Sequence, residues 1–207
     1  MIRCMLILLL FVFTLTSCKD QIIDVQKVEF AFEDGFEEAD SVMIEEFASV
    51  SARDQVNLVF HTDATFKGSE FRDGDHINAF FKAPVPRGRG WRNPGYSVWI
   101  NRDGEIYVLK DFNIDCMIEP FEITNGARGY NSISVHIAYS SSISRNNPLA
   151  DTRTKKQIQA MANIVRIFRD ACPDVNIQGH RDFPGVAKSC PNFEVSDFVE
   201  KIKNGTL

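Results

Sequence analysis

The feature that most constrains the fold of this chain is the interleaving of strand-like and helix-like segments between residue 55 and the C-terminus. Apolar residues alternate with polar ones where this region begins, with Val56, Leu58 and Phe60 on one face, as expected of a β-strand. Asp103-Gly104 lies between two further strand-like segments and is a strong hairpin signal. The strand-like segments are residues 55–61, 96–101, 105–110, 133–139 and 175–177.

The helix predicted between the last two strand-like segments has the clearest boundaries. Thr154 and Gln157 match the capping-box pattern, in which the threonine oxygen accepts from the third helical amide and the glutamine returns the bond. Pro173 ends this helix. Its apolar face consists of Ile158, Met161, Ala162, Val165 and Phe168. With shorter helices expected at residues 75–82 and 196–203, the predicted fold class is α/β, a single domain with a central mixed β-sheet flanked by helices.

An apolar run over residues 5–15 follows Arg3 near the N-terminus. A helix that crosses ~30 Å of hydrocarbon needs about 20 residues, so this run is too short to span a bilayer and is typical of a secretory signal. The segment Leu15-Thr16-Ser17-Cys18 comes next and resembles a bacterial lipobox, in which the chain is cut before the cysteine and the cysteine is acylated. We expect residues 1–17 to be a lipoprotein signal peptide and Cys18 to be lipidated. The alternative is a plain signal peptide with an incidental cysteine.

Charge divides the remaining chain near residue 54. Residues 19–54 contain eleven Asp and Glu against three Lys and Arg, whereas residues 55–207 contain 17 acidic and 19 basic residues. The predicted organisation is therefore the lipidated cysteine with an acidic tether over residues 18–54, partly helical around residues 37–49, and a near-neutral domain over residues 55–207. The net charge of −5 for the whole chain argues against nucleic acid as a partner.

Three cysteines follow the predicted signal and lipobox: Cys116, Cys172 and Cys190. An odd number in an exported protein indicates one thiol with a special role and one pair. A Cys116–Cys172 disulfide is one outcome, and the sequence alone does not show whether the two Cα atoms are close. Cys190 is the candidate for the special role.

His61, His180 and Cys190 each follow or end a predicted strand, so we expect them at or just beyond strand ends. Histidine and cysteine are zinc ligands, and three protein ligands with an open fourth place form a catalytic zinc site. Spacing alone does not select His61 over His76 or His136, and a lone histidine or cysteine is more often structural. The residues by themselves therefore leave the ligand set open.

Nine short motifs occur in order over roughly residues 56–202. They are His61-Thr62-Asp63-Ala64-Thr65, Gly90-Trp91, Gly95-Tyr96, Asn101-Arg102-Asp103-Gly104, Ala127-Arg128-Gly129-Tyr130-Asn131, Ser132-Ile133-Ser134-Val135, Asp151-Thr152-Arg153-Thr154, Gly179-His180-Arg181-Asp182 and Lys188-Ser189-Cys190-Pro191. Each motif is weak, but the ordered set resembles the type 2 N-acetylmuramoyl-L-alanine amidase domain. That family includes the phage T7 lysozyme type and is related to the peptidoglycan recognition proteins.

The resemblance implies a Zn²⁺ ion held by His61, His180 and Cys190, with Tyr96 and Lys188 as catalytic residues. Such an ion lowers the pKa of its water towards about 7 and polarises an amide carbonyl. A cationic lysine nearby stabilises the oxyanion that forms. The implied reaction is hydrolysis of the amide bond between N-acetylmuramic acid and L-alanine in peptidoglycan. Without the resemblance, Lys188 is a solvated surface residue and Tyr96 a core residue of a strand.

The implied partners are peptidoglycan as the substrate and a membrane through the lipid anchor. We expect a monomer in the cell envelope, a periplasm-facing lipoprotein anchored in a bacterial membrane, with the outer membrane as the expected one. Two other functions are alternatives. The first is a peptidoglycan-binding module of the same fold without catalysis, and the second is a thiol peptidase that uses Cys190 and His180. The order of histidine before cysteine favours the metal site over the thiol peptidase.

The chain departs from the family pattern at a few positions. Many relatives have histidine where this chain has Ser97, and phage-type members have histidine where it has Gly126. Ser140-Ser141 replaces a usual pair of glycines. His136 stands where relatives have small or apolar residues, and two interpretations of it are open. It lines the same cleft, or it is a core histidine whose hydrogen bonds are satisfied.

The lipobox generates a direct prediction about Cys18. A Cys18→Ser variant lacks the thiol that is acylated, so we expect it to take up no palmitate and to stay unprocessed or soluble. The measurement is incorporation of radiolabelled palmitate into the wild type and the variant. Equal label in both proteins would contradict the lipobox interpretation.

Overall fold

A five-stranded β-sheet with strand order β3-β2-β4-β1-β5 lies at the centre of the computed structural model, which describes residues 55–207. The predicted signal peptide, Cys18 and the acidic tether lie outside the described residues. The elements in chain order are β1 (Asn57–Thr62), α1 (Gly74–Lys82), β2 (Val98–Ile100), β3 (Ile106–Val108), β4 (Ser134–Tyr139), α2 (Lys155–Ala171), β5 (Asn176–Gly179) and α3 (Val195–Lys203).

The sheet is mixed, as predicted. β1 pairs in parallel with β4 on one side and with β5 on the other, and β2 pairs in parallel with β4. β2 and β3 form the expected antiparallel hairpin. Because β1, β2, β4 and β5 run in the same direction, their carboxyl ends meet at one edge of the sheet. Side chains that end or follow these strands are therefore brought together.

Every residue of the central strand β1 is buried. The alternating sequence pattern accounts for the apolar residues on one face of the strand but does not predict that the other face is buried as well. Leu58 and Phe60 pack in the main core with the apolar faces of α2 and α3. Val59 points the other way and packs with Ala127 and Phe183. Alternation predicts one buried face, whereas a parallel strand in the middle of a sheet is covered on both. This burial extends to His61, which is 1% exposed.

Three helices flank the sheet. α1 begins one residue earlier than predicted, and the Asp73 carboxylate accepts from the amide of His76 at its first turn, at 2.8 Å. α3 also begins one residue earlier than predicted, and Phe198 and Ile202 are buried on its inner face. None of the helices formed by residues 55–207 has the length and apolar character needed to cross a bilayer.

The capping box of α2 is confirmed. The Thr154 hydroxyl accepts from the Gln157 amide at 3.1 Å, and Gln157 Oε1 accepts from the Thr154 amide at 2.9 Å. The Gln157 side chain is fully buried, and its Nε2 donates to the carbonyls of Ile100 at 3.2 Å and Ser140 at 2.9 Å. One side chain therefore caps α2 and also joins its start to the ends of β2 and β4.

The two cysteines that the sequence offered as a pair form a disulfide. Cys116, in the loop after β3, is bonded to Cys172 at the end of α2, and their Cα atoms are 5.4 Å apart. The bond ties a long loop to the helix that covers one face of the sheet. Cys190 is the only free cysteine among residues 55–207.

The buried glutamine generates a stability prediction with a matched control on the same helix. In Gln157→Met the side chain keeps similar length but leaves the Thr154 amide without its partner and removes one donor from each of the two carbonyls. An unsatisfied buried polar group costs about 1–3 kcal/mol, so we expect the free energy of unfolding to fall by about 2 kcal/mol. Gln159→Met changes an exposed glutamine and should alter it by less than about 0.5 kcal/mol. Urea unfolding of both variants gives the values, and equal losses would contradict the role of Gln157.

Candidate functional site

Three side chains that can bind a metal converge at the carboxyl edge of the sheet. One ligand atom from each of His61, His180 and Cys190 lies within 4.8 Å of the others. His61 is the penultimate residue of β1, and His180 directly follows β5, so the pairing of these two parallel strands brings the histidines together. Cys190 does not lie at a strand end as expected. It lies in the loop between β5 and α3, and this loop folds back over the strand ends.

Specific contacts fold the Cys190 loop back. The Arg181 amide donates to the carbonyl of Cys190 at 2.9 Å, and the Tyr139 hydroxyl donates to the carbonyl of Pro191 at 2.7 Å. The Thr62 amide donates to Cys190 Sγ at 3.3 Å. A Cβ atom on Gly179 would lie 2.6 Å from Cδ of Pro191, so only glycine allows the loop to come this close. The sulfur is therefore held beside the end of β1.

Burial keeps the side chains of the three candidate ligands uncharged when no cation is bound. It lowers the pKa of His61 well below the usual range, helped by the neighbouring His136, His180 and Lys188. Burial, followed by the charge of Lys188, lowers the pKa of His180 to about 4. Burial raises the pKa of the Cys190 thiol to about 11. At neutral pH both imidazoles therefore carry a free lone pair, and a metal cation would displace the thiol proton as it binds.

A cleft of about 750 Å³ opens directly above these three residues. Its walls include three aromatic residues, Phe81, Trp91 and Tyr96, and three cations, Arg89, Arg128 and Lys188. The aromatic residues pack on one another: Phe81 stacks on Trp91 with ring centroids 5.6 Å apart and meets the Tyr96 ring edge-on at 5.5 Å. An aromatic wall and several cations around an open candidate metal centre suit a large, polar, partly anionic ligand.

Tyr96 and Lys188 both reach this cleft. Tyr96 lies two residues before β2, and the centroids of its ring and the His61 ring are 5.2 Å apart. Burial, and then the nearby Cys190 and Asp63, raise the pKa of its phenol well above the usual value, so the hydroxyl is a hydrogen-bond donor at neutral pH. Lys188 is exposed, and within residues 55–207 no carboxylate forms an ion pair with it. Its charge lowers the pKa values of His61 and His180.

The family model for N-acetylmuramoyl-L-alanine amidase matches residues 52–193 of this chain, more than half of its length. The chain belongs to this amidase family. No curated protein matches it.

Solved structures with the same fold include both lytic enzymes and recognition proteins. The N-acetylmuramoyl-L-alanine amidase LysC from Clostridium intestinale URNW is 19% identical, with 73% of this chain and 85% of that chain covered and a TM-score of 0.52. The Ph2119 endolysin from a Thermus scotoductus bacteriophage is 19% identical, with 73% and 87% covered and a TM-score of 0.54. A variant of Drosophila PGRP-LB in complex with tracheal cytotoxin is 22% identical, with 71% and 79% covered and a TM-score of 0.50.

The sequence left two interpretations of His136 open in this amidase-family chain: a residue that lines the cleft, or a core histidine with satisfied hydrogen bonds. The structure agrees with neither in full. The His136 side chain is fully buried and does not line the cleft, so it is a core residue. Its hydrogen bonding is incomplete, however. Nδ1 lies 2.9 Å from Nε2 of His61, whereas Nε2 has no hydrogen-bond partner among the described residues. His136 therefore contacts a candidate metal ligand from behind.

Asp63 is a second residue to which the sequence assigned no role. Its Oδ1 accepts from the amides and hydroxyls of Thr65 and Ser141, at 2.8 to 3.1 Å. Its Oδ2 accepts from Nε1 of Trp99 at 3.0 Å. The only signal in the sequence is its place two residues after His61 in the first family motif. Arg89 and Arg128 were likewise missed: Arg128 lies within a family motif to which no role was given, and Arg89 lies just before another.

The convergence of His61, His180 and Cys190 generates a prediction about metal content. The purified protein should bind about one Zn²⁺ per chain, as three-ligand sites do, and His61→Ala or His180→Ala should lose most of it. His76→Ala is the matched control, because His76 is exposed at the start of α1 and should keep its zinc. Atomic absorption on dialysed samples gives the stoichiometry. Full zinc retention by His180→Ala would contradict the assignment.

Proposed function

We propose that this chain is a zinc-dependent amidase that hydrolyses the amide bond between N-acetylmuramic acid and L-alanine in peptidoglycan. The observation that carries the proposal is the convergence of His61, His180 and Cys190 at the base of an open cleft. Membership of the amidase family supports the reaction class.

The donor set fits zinc. Zn–S bonds of about 2.3 Å and Zn–N bonds of about 2.0–2.1 Å at tetrahedral angles separate sulfur and nitrogen by about 3.6 Å. Cys190 Sγ and His61 Nδ1 are 3.7 Å apart. Two imidazoles and one thiolate also match the ligand preference of this metal and leave a fourth position towards the cleft.

The residues around the centre supply the remaining functions of a hydrolase. Zinc bound here provides water activation and polarisation of the scissile carbonyl. The Lys188 ammonium faces the same space and stabilises the oxyanion of the tetrahedral intermediate. Tyr96 keeps its phenolic proton at neutral pH and donates a hydrogen bond to the oxyanion or to the attacking water. The lowered pKa values of His61 and His180 keep both imidazoles available as ligands.

The cleft also supports peptidoglycan as the partner. Its aromatic wall offers flat surfaces to a sugar and peptide chain, and Arg89 and Arg128 offer donors to the carboxylates of a stem peptide. The Arg89 guanidinium is itself held over Trp91, 5.6 Å from the ring centroid, so it is partly ordered before any ligand binds. The complex of a PGRP-LB variant with tracheal cytotoxin is a precedent for a ligand bound by this fold.

The thiol peptidase alternative is disfavoured by the surroundings of Cys190. A catalytic cysteine needs a thiolate, and its pKa is lowered by its environment. Burial here raises the pKa of Cys190 to about 11 instead. A metal ligand needs no such lowering, because the cation itself displaces the proton.

We also propose that the protein acts as a monomer in the cell envelope, facing the periplasm and anchored through lipidated Cys18 in a bacterial membrane, the outer membrane in a two-membrane cell. The apolar run before the lipobox supports this location. The disulfide between Cys116 and Cys172 agrees with it, since such bonds persist in oxidising compartments outside the cytoplasm.

The proposed roles of Lys188 and Tyr96 can be separated from metal binding. Lys188→Ala should keep its zinc and lose about 10²–10³-fold in turnover, as expected when one oxyanion donor is removed. Tyr96→Phe should also keep its zinc, because only the hydroxyl is lost, and should turn over more slowly. Lys201→Ala changes an exposed lysine on α3 and is the matched control.

The assay follows release of stem peptides with a free L-alanine amino terminus from purified peptidoglycan, with zinc measured on the same samples. Wild-type turnover in zinc-loaded Lys188→Ala would leave Lys188 as a surface residue only. A wild type that binds zinc and peptidoglycan but frees no such peptide would instead establish the binding module without catalysis.

A further inference from the structure

A second imidazole supports the candidate metal centre from inside the core. His136 lies on β4, which pairs with β1, and its ring reaches diagonally towards His61. His136 Nδ1 and His61 Nε2 are 2.9 Å apart, and the ring centroids are separated by 5.0 Å. Among the described residues, His136 is the only hydrogen-bond partner of His61 Nε2. The other ring nitrogen of His61, Nδ1, faces Cys190 Sγ at 3.7 Å.

This geometry allows only one arrangement of protons when a metal is bound. A neutral imidazole has one nitrogen that donates and one that accepts. For His61 to offer the lone pair of Nδ1 to a metal, its Nε2 must carry the proton and donate to His136 Nδ1. His136 must then accept at Nδ1 and carry its own proton at Nε2. In the reverse arrangement Nδ1 of His61 is protonated and cannot bind the ion.

The packing leaves the His136 ring no room to turn away. A Cβ atom on Gly126 would lie 2.3 Å from Cγ and 2.5 Å from Nδ1 of His136, so the glycine backbone lies directly against the ring. The backbone of His136 is bonded on both sides to Ser97, whose amide donates to the His136 carbonyl at 2.8 Å and whose hydroxyl accepts from the His136 amide at 3.3 Å. Nδ1 of His136 is therefore held in place beside Nε2 of His61.

We propose that His136 is a positioning residue for the metal centre, which orients the His61 ring and accepts the Nε2 proton of the tautomer whose Nδ1 binds the ion. Histidine ligands of metals usually donate their second N–H to a carboxylate, a backbone carbonyl or water. Here a neutral imidazole takes that place, so no further negative charge is added to a centre that already contains a thiolate. The inference rests on the proposed metal site and adds a residue that does not touch the metal.

The unpartnered Nε2 of His136 separates this role from a structural one. A buried donor without an acceptor destabilises a fold, so a histidine retained only for packing would be improved by an apolar residue of similar size. His136→Leu removes this group but also leaves the buried Nε2 of His61 without its partner, so in the metal-free state it should unfold at a temperature close to that of the wild type. The same variant removes the acceptor for His61 and should weaken zinc binding by about 10–100-fold.

A conservative variant provides the rescue. In His136→Asn the side-chain oxygen takes a place close to that of Nδ1 and can accept from His61, so this variant should recover most of the zinc affinity that His136→Leu loses. Gly126→Ala tests the same contact from the other side, because the added methyl group must displace the His136 ring. It should weaken zinc binding although the residue at position 136 is unchanged. His76→Leu is the exposed control and should bind zinc as the wild type does.

The measurements are zinc affinity by competition with a chromophoric chelator, the visible spectrum of the Co²⁺-substituted protein, and metal-free thermal unfolding. We expect weaker zinc affinity and altered Co²⁺ bands in His136→Leu, with wild-type behaviour in His136→Asn. Equal zinc affinity in the wild type, His136→Leu and Gly126→Ala would overturn the role of His136 while leaving the metal site intact. A wild type that binds neither ion would overturn both this inference and the proposed function.

Discussion

The Asp63 carboxylate holds together the edge of the sheet on which the candidate metal centre is built. It accepts from Ser141 beyond the end of β4, from Thr65 in the loop after β1 and from Trp99 on β2. Three parallel strands therefore end around one anion, and His61 lies two residues before it. Burial is the main cause of the raised pKa values of Tyr96 and Cys190, and the Asp63 charge adds to it. Asp63 thus fixes the positions of the strand ends around the site. Its negative charge also makes the electrostatic potential at the site more favourable for a cation.

Local patterns in the sequence predicted the elements that local interactions stabilise. The capping pair Thr154 and Gln157 located the start of α2, and Asp103-Gly104 located the hairpin, because both signals depend on residues a few positions apart. The candidate ligands were different. Neither spacing nor composition distinguished His61 from His136, and only an ordered set of family motifs selected it. The positions of the candidate ligands depend on the order of the strands in the sheet. That order is set by contacts between residues far apart in the sequence, which local patterns do not reveal.

The residues that sequence reasoning missed share this dependence on tertiary register. Asp63 accepts several hydrogen bonds only because β4 and β2 bring Ser141 and Trp99 close to it. His136 contacts His61 because the two strands pair with a particular offset. β1 was also described incompletely, since alternation indicated one buried face and the surrounding helices and loops cover both. In each case the missing information is which segments become neighbours.

The close contact between Gly126 and His136 makes the two positions depend on each other. A side chain at position 126 would occupy the space of the imidazole at position 136. The site therefore accommodates the imidazole only when residue 126 has no side chain. A single substitution that introduces a second side chain meets a steric collision, and one that removes the imidazole leaves His61 without its acceptor. Neutral drift at residue 126 is therefore blocked for as long as an imidazole occupies position 136, although residue 126 makes no hydrogen bond to the candidate metal ligands.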